Sequence, residues 1–202
     1  TNGTPQFARQ ARLAFIARAF LRTLVDAGYY TSENVDTFMQ GISTVSSEFN
    51  DDFERFSEGL ISREEFNFKY GHLRSGTYDI RSDRYDAMNF RPAPSRIKKD
   101  KVKIQKDLDI SILTQALEDT QLDVSAERMA KFWISAIEQR EYFKFEFTKS
   151  LSMVLELIRK LGSILEIRTM DLSWLCVDDF KLYESGCDPE NLKKLWMKLI
   201  TK

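Results

Sequence analysis

From Phe147 to Leu165 the apolar residues Phe147, Leu151, Val154, Leu155, Ile158, Leu161 and Leu165 recur mostly three or four positions apart. That period places them on one face of an α-helix and is incompatible with the two-residue alternation of a strand. The same spacing runs through most of the chain. Between Pro5 and Ala27 it is carried by Leu13, Ile16, Phe20, Leu21 and Leu24, with Arg9, Arg12, Arg18 and Arg22 between them. Gly28 is the expected stop, since glycine readily takes the left-handed conformation that ends a helix. A second run starts near Ser32 and carries Val35, Phe38, Met39, Ile42, Val45, Phe49, Phe53 and Phe56, predicting a helix antiparallel to the first. Ser62 followed by Glu65 is a capping box, so a third short helix carries Phe66 and Tyr70.

Further on, Ile110–Leu117 is helical in pattern, and Met129, Phe132, Trp133, Ala136 and Ile137 form a face from about Ser125 onward. The period allows this stretch and the one from Phe147 to be a single helix or two, broken near Glu138 to Tyr142. Asp171 to Tyr183 reads as short turns around Trp174 and Leu175. Asp188-Pro189 sets a capping carboxylate before a proline at the first helical position, predicting a last helix from Pro189 to Ile200. With only 8 Gly and 4 Pro in 202 residues, a turn-rich sandwich or barrel is excluded. The expected fold is all-α: an irregular bundle of about six to eight helices with one long loop containing Gly, Arg and Pro.

Helical period is absent between Gly71 and Lys106, and Arg91-Pro92-Ala93-Pro94-Ser95 cannot continue a helix. The chain therefore reads as an N-terminal helical hairpin plus loop (1–90), a basic linker (91–106) and a C-terminal helical subdomain (107–202), together one compact unit. It opens at Thr1 without an initiator Met and ends at Lys202 after an amphipathic run, as a piece of a longer protein would.

The formal charge of −1 supplies no global field for nucleic acid or an anionic membrane, and neither is expected as a partner. Charge is local instead: residues 32–65 hold nine acidic and two basic side chains, and 81–106 hold nine basic and three acidic. Either stretch could be a solvated surface or a docking face. Cys176 and Cys187 form neither a disulfide framework nor a Cys-rich zinc site, so a reducing cytoplasm is the expected compartment. Cys176, flanked by Leu175 and Val177, reads as a small buried hydrophobe. No apolar run approaches a membrane span. No catalytic or metal-binding motif is recognised, and the single histidine excludes a multi-His metal site. The aromatics Trp133, Tyr142, Phe143, Phe145 and Phe147 read as core, or as the lining of a pocket.

One loop concentrates chemistry-bearing residues: Tyr70-Gly71-His72-Leu73-Arg74-Ser75-Gly76-Thr77-Tyr78-Asp79-Ile80, then Arg81-Ser82-Asp83-Arg84-Tyr85-Asp86. Glycines allow positive backbone dihedrals and close approach to a ligand, arginine offers a planar fork for phosphate or carboxylate, and histidine titrates near neutrality. His72, Arg74, Thr77, Tyr78, Asp79, Arg81 and Arg84 are thus the candidate ligand or domain contacts, with Tyr78 and Tyr85 packing the loop. The structural alternative has His72 closing a helix end and Arg74 paired with Asp79 or Asp83 to tie the loop down.

This loop resembles the helical region of proteins related to phosphoenolpyruvate synthase and pyruvate phosphate dikinase. The resemblance rests on Tyr70, Gly71, His72, Arg74, Gly76, Thr77, Tyr78, Asp79, Ile80, Ser82, Arg84, Tyr85 and Asp86. Arg140–Lys149 with Leu151-Ser152, and Asp171–Leu175 with Asp178-Asp179, are similar to later stretches of the same proteins. Ser75 stands where many relatives have Pro, which leaves the loop less rigid. The resemblance implies a parent ATP-dependent phosphotransferase in which an ATP-grasp domain precedes this region and a swivelling phosphate-carrying domain comes after it, as partners within one chain. ATP and Mg would serve the parent, with no cofactor and no catalytic residue in this helical connector. In the similar rifampin phosphotransferases such a region holds the acceptor. On that basis Arg74→Ala is expected to leave the fold intact and reduce transfer. The rival expectation is a non-enzymatic helical protein-interaction module.

Overall fold

The computed structural model describes residues 3–88, 108–184 and 188–201, of which 182–184 by their backbone alone. The basic linker expected at 91–106 and Cys187 lie outside the described residues. Among those residues the protein is all-α, with nine helices: α1 (Gly3–Asp26), α2 (Ser32–Gly41), α3 (Val45–Ser57), α4 (Arg63–Tyr70), α5 (Ile110–Asp119), α6 (Ala126–Ile164), α7 (Thr169–Leu172), α8 (Val177–Glu184) and α9 (Pro189–Ile200). The single period from Ser32 to Phe56 is two helices, because Ile42 turns extended and Thr44 starts α3 with a reciprocal cap to Ser47. The two later runs, from about Ser125 and from Phe147, belong to one continuous helix of 39 residues, α6. Asp188 accepts from the amides of Glu190 and Asn191 at 2.9 and 3.2 Å, the cap expected before Pro189.

Four helices end in the same way. After α1 and α3 the left-handed residue is a glycine, Gly28 (φ 81°) and Gly59 (φ 75°); after α5 and α6 it is Gln121 (φ 55°) and Glu166 (φ 56°). In each case the next amide reaches back to a carbonyl in the last turn: Tyr29 to Leu24, Leu60 to Arg55, Leu122 to Leu117, Ile167 to Gly162.

The chain divides into two compact units, and the division does not run in chain order. Among the described residues the first comprises 3–62 and 108–147, the second 63–88, 148–184 and 188–201. This differs from the sequential partition at residues 90 and 106, because α6 supplies its first part to one core and its second part to the other. The core of the first unit gathers Leu21, Phe38, Ile42, Leu113 and Trp133. Within it the Tyr30 hydroxyl donates to the Asp109 carbonyl at 2.6 Å, and burial pushes that phenol up to about 12. Two faces differ from expectation. On α1 the buried residues are Ala14, Ala17 and Leu21, while Leu13, Ile16 and Phe20 are exposed. In the aromatic cluster Trp133 is fully buried and Tyr142 is exposed.

The second unit is built on Ile80, Leu165, Ile167, Leu172, Leu192 and Trp196. Gly162 makes that core possible: a Cβ there would run into Leu172 Cδ1 and sit 3.2 Å from its Cγ and 3.3 Å from the Ile167 carbonyl. Gly162→Ala is expected to lower stability by about 1–2 kcal/mol, overpacking outweighing the gain in helix propensity. Urea unfolding tests this, and an unchanged or raised midpoint would refute it.

Candidate functional site

The loop after α4 is closed by backbone pairing. Arg74 and Arg84 form an isolated antiparallel bridge, and the Tyr85 amide donates to the Leu73 carbonyl at 2.9 Å. Its two glycines serve this closure: neither has positive φ. A Cβ on Gly71 would collide with the Asn67 carbonyl and lie 2.9 Å from Asp86 Cβ; one on Gly76 would lie 2.7 Å from Ser82 Oγ. The close approach they permit is of the chain to itself.

Each loop arginine already holds a carboxylate. Arg74, its side chain 1% exposed, turns inward to α6, where Nη2 meets Glu156 Oε1 at 2.5 Å and Nε donates to Ser152 Oγ at 3.3 Å; Nη1 donates to the Ser82 carbonyl. Its partner is therefore on α6, whereas the sequence suggested Asp79 or Asp83. Asp83 pairs instead with Arg159 at 2.9 Å, and Arg159 also approaches Glu156 at 3.5 Å. Arg81 grips Asp79 through Nε (2.9 Å to Oδ1) and Nη2 (2.8 Å to Oδ2), and its amide donates to the same Oδ1. Arg84 does likewise to Asp86, at 3.0 and 2.5 Å. His72 is buried.

Chiefly through the hydrogen bonds from the Arg81 side chain, the Asp79 carboxyl is held at about 2, below its ordinary 3.8. A carboxylate with a lowered folded pKa stabilises the fold above its unfolded value, and that contribution fades as pH falls from about 4 to about 2, where the unfolded chain binds the proton more readily. Asp79→Asn is therefore expected to flatten the acid limb of stability across that window. Equal slopes for the two proteins in pH-dependent urea unfolding would dismiss the pair as a contributor.

The outward side of the loop forms one wall of an open groove of about 960 Å³. Thr77, Tyr78, Asp79 and Arg81 contribute from the loop, Val154 and Ile158 from α6, and Trp174 and Val177 from the α7–α8 region. Of the seven candidate residues, these four loop residues line the groove and His72 and Arg74 do not. Arg84 borders a separate cavity of about 320 Å³ with Met153 and Glu156. Tyr78 is exposed at the groove and does not pack the loop as expected. Trp174 is 73% exposed and Val177 79%. Cys176, between the groove residues Leu175 and Val177, is exposed, contrary to its reading as a buried hydrophobe, because α8 starts there without covering it. The periodicity marked Val154 and Ile158 as a helix face but carried no sign that Trp174 and Val177 would stay outside the core.

Chemically, the groove can hold an apolar body against aromatic and aliphatic surface, with Thr77, Ser173 and a neutralised Asp79–Arg81 pair at hand. Among the described residues no three His, Cys, Asp or Glu side chains come together to hold a metal ion, and no helix there is long and apolar enough to cross a membrane. No family model, curated protein or solved structure matches the chain.

Proposed function

We propose that the second unit is an acceptor-side binding module of a phosphoenolpyruvate-synthase-like phosphotransferase, not catalytic by itself, whose groove receives an apolar organic molecule. The observation that carries this is the position of the loop on which the resemblance rests: it forms a wall of a groove with exposed Trp174, Tyr78 and Val177. Apolar side chains left in water beside a concave surface favour a ligand that covers them. On this reading ATP and Mg bind elsewhere in the parent, and the neighbouring ATP-grasp and swivelling domains bring phosphate to the bound acceptor.

One observation favours the rival interaction-module reading. Arg74, Arg81 and Arg84 are all ion-paired, which leaves the loop no spare cation for a phosphate. The two readings separate on a titration of the protein with the apolar fluorophore anilinonaphthalene sulfonate and, separately, with phosphoenolpyruvate. The acceptor reading expects the fluorophore to bind and Trp174→Ala to weaken it about tenfold with the melting temperature held. Binding unaltered by Trp174→Ala would remove the groove from function. Protection by phosphoenolpyruvate alone would place an anion site in the loop after all.

A further inference from the structure

The first unit carries a surface of different chemistry, independent of the groove. On α1, Leu13, Ile16 and Phe20 stand at i, i+3 and i+7 and are all exposed, Ile16 at 46%. Arg9 and Arg12 fall on the same side of the helical period, whereas Arg18, Arg22 and Phe15, whose ring lies 5.8 Å from the Arg140 guanidinium, fall on another. From Gly3 to Val25 there is no Asp or Glu. Arg9, Arg12 and Arg18 have no ion pair among the described residues, and Arg22 reaches only Asp26, at 4.0 Å with both side chains in solvent. The helix buries its alanine face and leaves a larger, positively charged apolar face in water.

We propose that this face of α1 docks an acidic amphipathic helix of a protein partner. Charge complementarity selects the occupant. The chain's own segment 89–107 holds seven Lys and Arg against Asp100 and Asp107, so it would bring like charge to α1. A broad anionic lipid surface is recognised by clusters of about 4–8 Lys or Arg, and only Arg9 and Arg12 stand beside this stripe. A single helix is narrow enough to meet the stripe alone. Arg9 to Thr23 spans about four turns, matching a partner with apolar residues three and four apart and Asp or Glu beside them. Arginine's planar fork suits carboxylates, and the i, i+3, i+7 stripe supplies the apolar seam.

The test uses the 202-residue protein and a fluorescent synthetic peptide with Leu at i, i+3, i+4 and i+7 and Glu at the flanks, monitored by anisotropy. Saturable binding is expected, weakening with added salt and about tenfold weaker for Ile16→Glu and for Arg12→Glu. These positions are exposed, so helical content by circular dichroism should be retained. The decisive arm is charge reversal: Arg9→Glu with Arg12→Glu should bind a Lys-flanked version of the peptide better than the original protein does. Failure of that exchange would overturn the proposal, as would equal binding of a scrambled peptide. So would sedimentation with phosphatidylserine vesicles in place of peptide binding, or a dimer that Ile16→Glu dissolves.

Discussion

Replacing Arg74 by alanine is expected to lower the stability of the protein by about 3 kcal/mol, reversing the expectation that this arginine could be removed from an intact fold. The guanidinium is buried and joins three groups at once: Glu156 and Ser152 on α6, and the Ser82 carbonyl across the loop. Its loss strands a carbonyl and a hydroxyl and leaves a cavity, and Glu156 keeps only Arg159 at 3.5 Å. Glu156 is partly exposed, which places the cost at the lower end of what breaking a buried ion pair entails. Arg74→Lys should recover less than half, because an ammonium cannot present two forked contacts and a third along the chain. Urea unfolding monitored by circular dichroism measures the loss. A variant as stable as the parent would mean that Glu156 and Ser152 repartner without it, and would make Arg74 a candidate ligand residue again.

That reversal illustrates which parts of the molecule could be read from residues in order. Helices were legible wherever a cap is local chemistry, as with Asp188 before Pro189 and Gly28 after α1, and α4 begins at Arg63, directly after Ser62. Glu166 and Gln121 end helices in the same left-handed geometry as Gly28, yet nothing in their residue type announces it. On α1 the period marks the helix and part of its buried side, Leu21 and Leu24, but not the rest. Leu13, Ile16 and Phe20 have the spacing of a core face, but the first unit packs the smaller Ala14 and Ala17 inward. Spacing shows that a face exists; only the neighbouring elements decide which face is covered.

The loop posed the same difficulty in charges. His72, Arg74, Arg81 and Arg84 look like a cluster awaiting an anion because sequence displays cations and hides their partners. Two of the three arginines find a carboxylate two residues away, Arg81 with Asp79 and Arg84 with Asp86, a pairing that was in plain view. The third finds Glu156, 82 positions along, which no local pattern connects to it. The groove was hidden for the same reason, since its walls come from three separate stretches of chain.

Trp196→Ala should cost about 4 kcal/mol, whereas Trp174→Ala should cost little, although both tryptophans belong to the second unit. Trp196 has no exposed surface. Its ring meets Phe180 edge-on at 5.0 Å, and its indole N–H donates to the Asp179 carbonyl at 3.2 Å, tying α9 to α8. Truncation removes the largest side chain of that core, opens a cavity and leaves the carbonyl without its donor. Trp196→Phe keeps an aromatic ring against Phe180 and should fall between, which keeps the comparison measurable if the alanine variant does not fold. Trp174, mostly in solvent, has little packing to lose. Its removal should leave the urea midpoint in place and still weaken the bound fluorophore. A large stability loss on removing Trp174 would instead make it part of the packing, and the groove would lose the exposed aromatic surface on which its reading as a binding site depends.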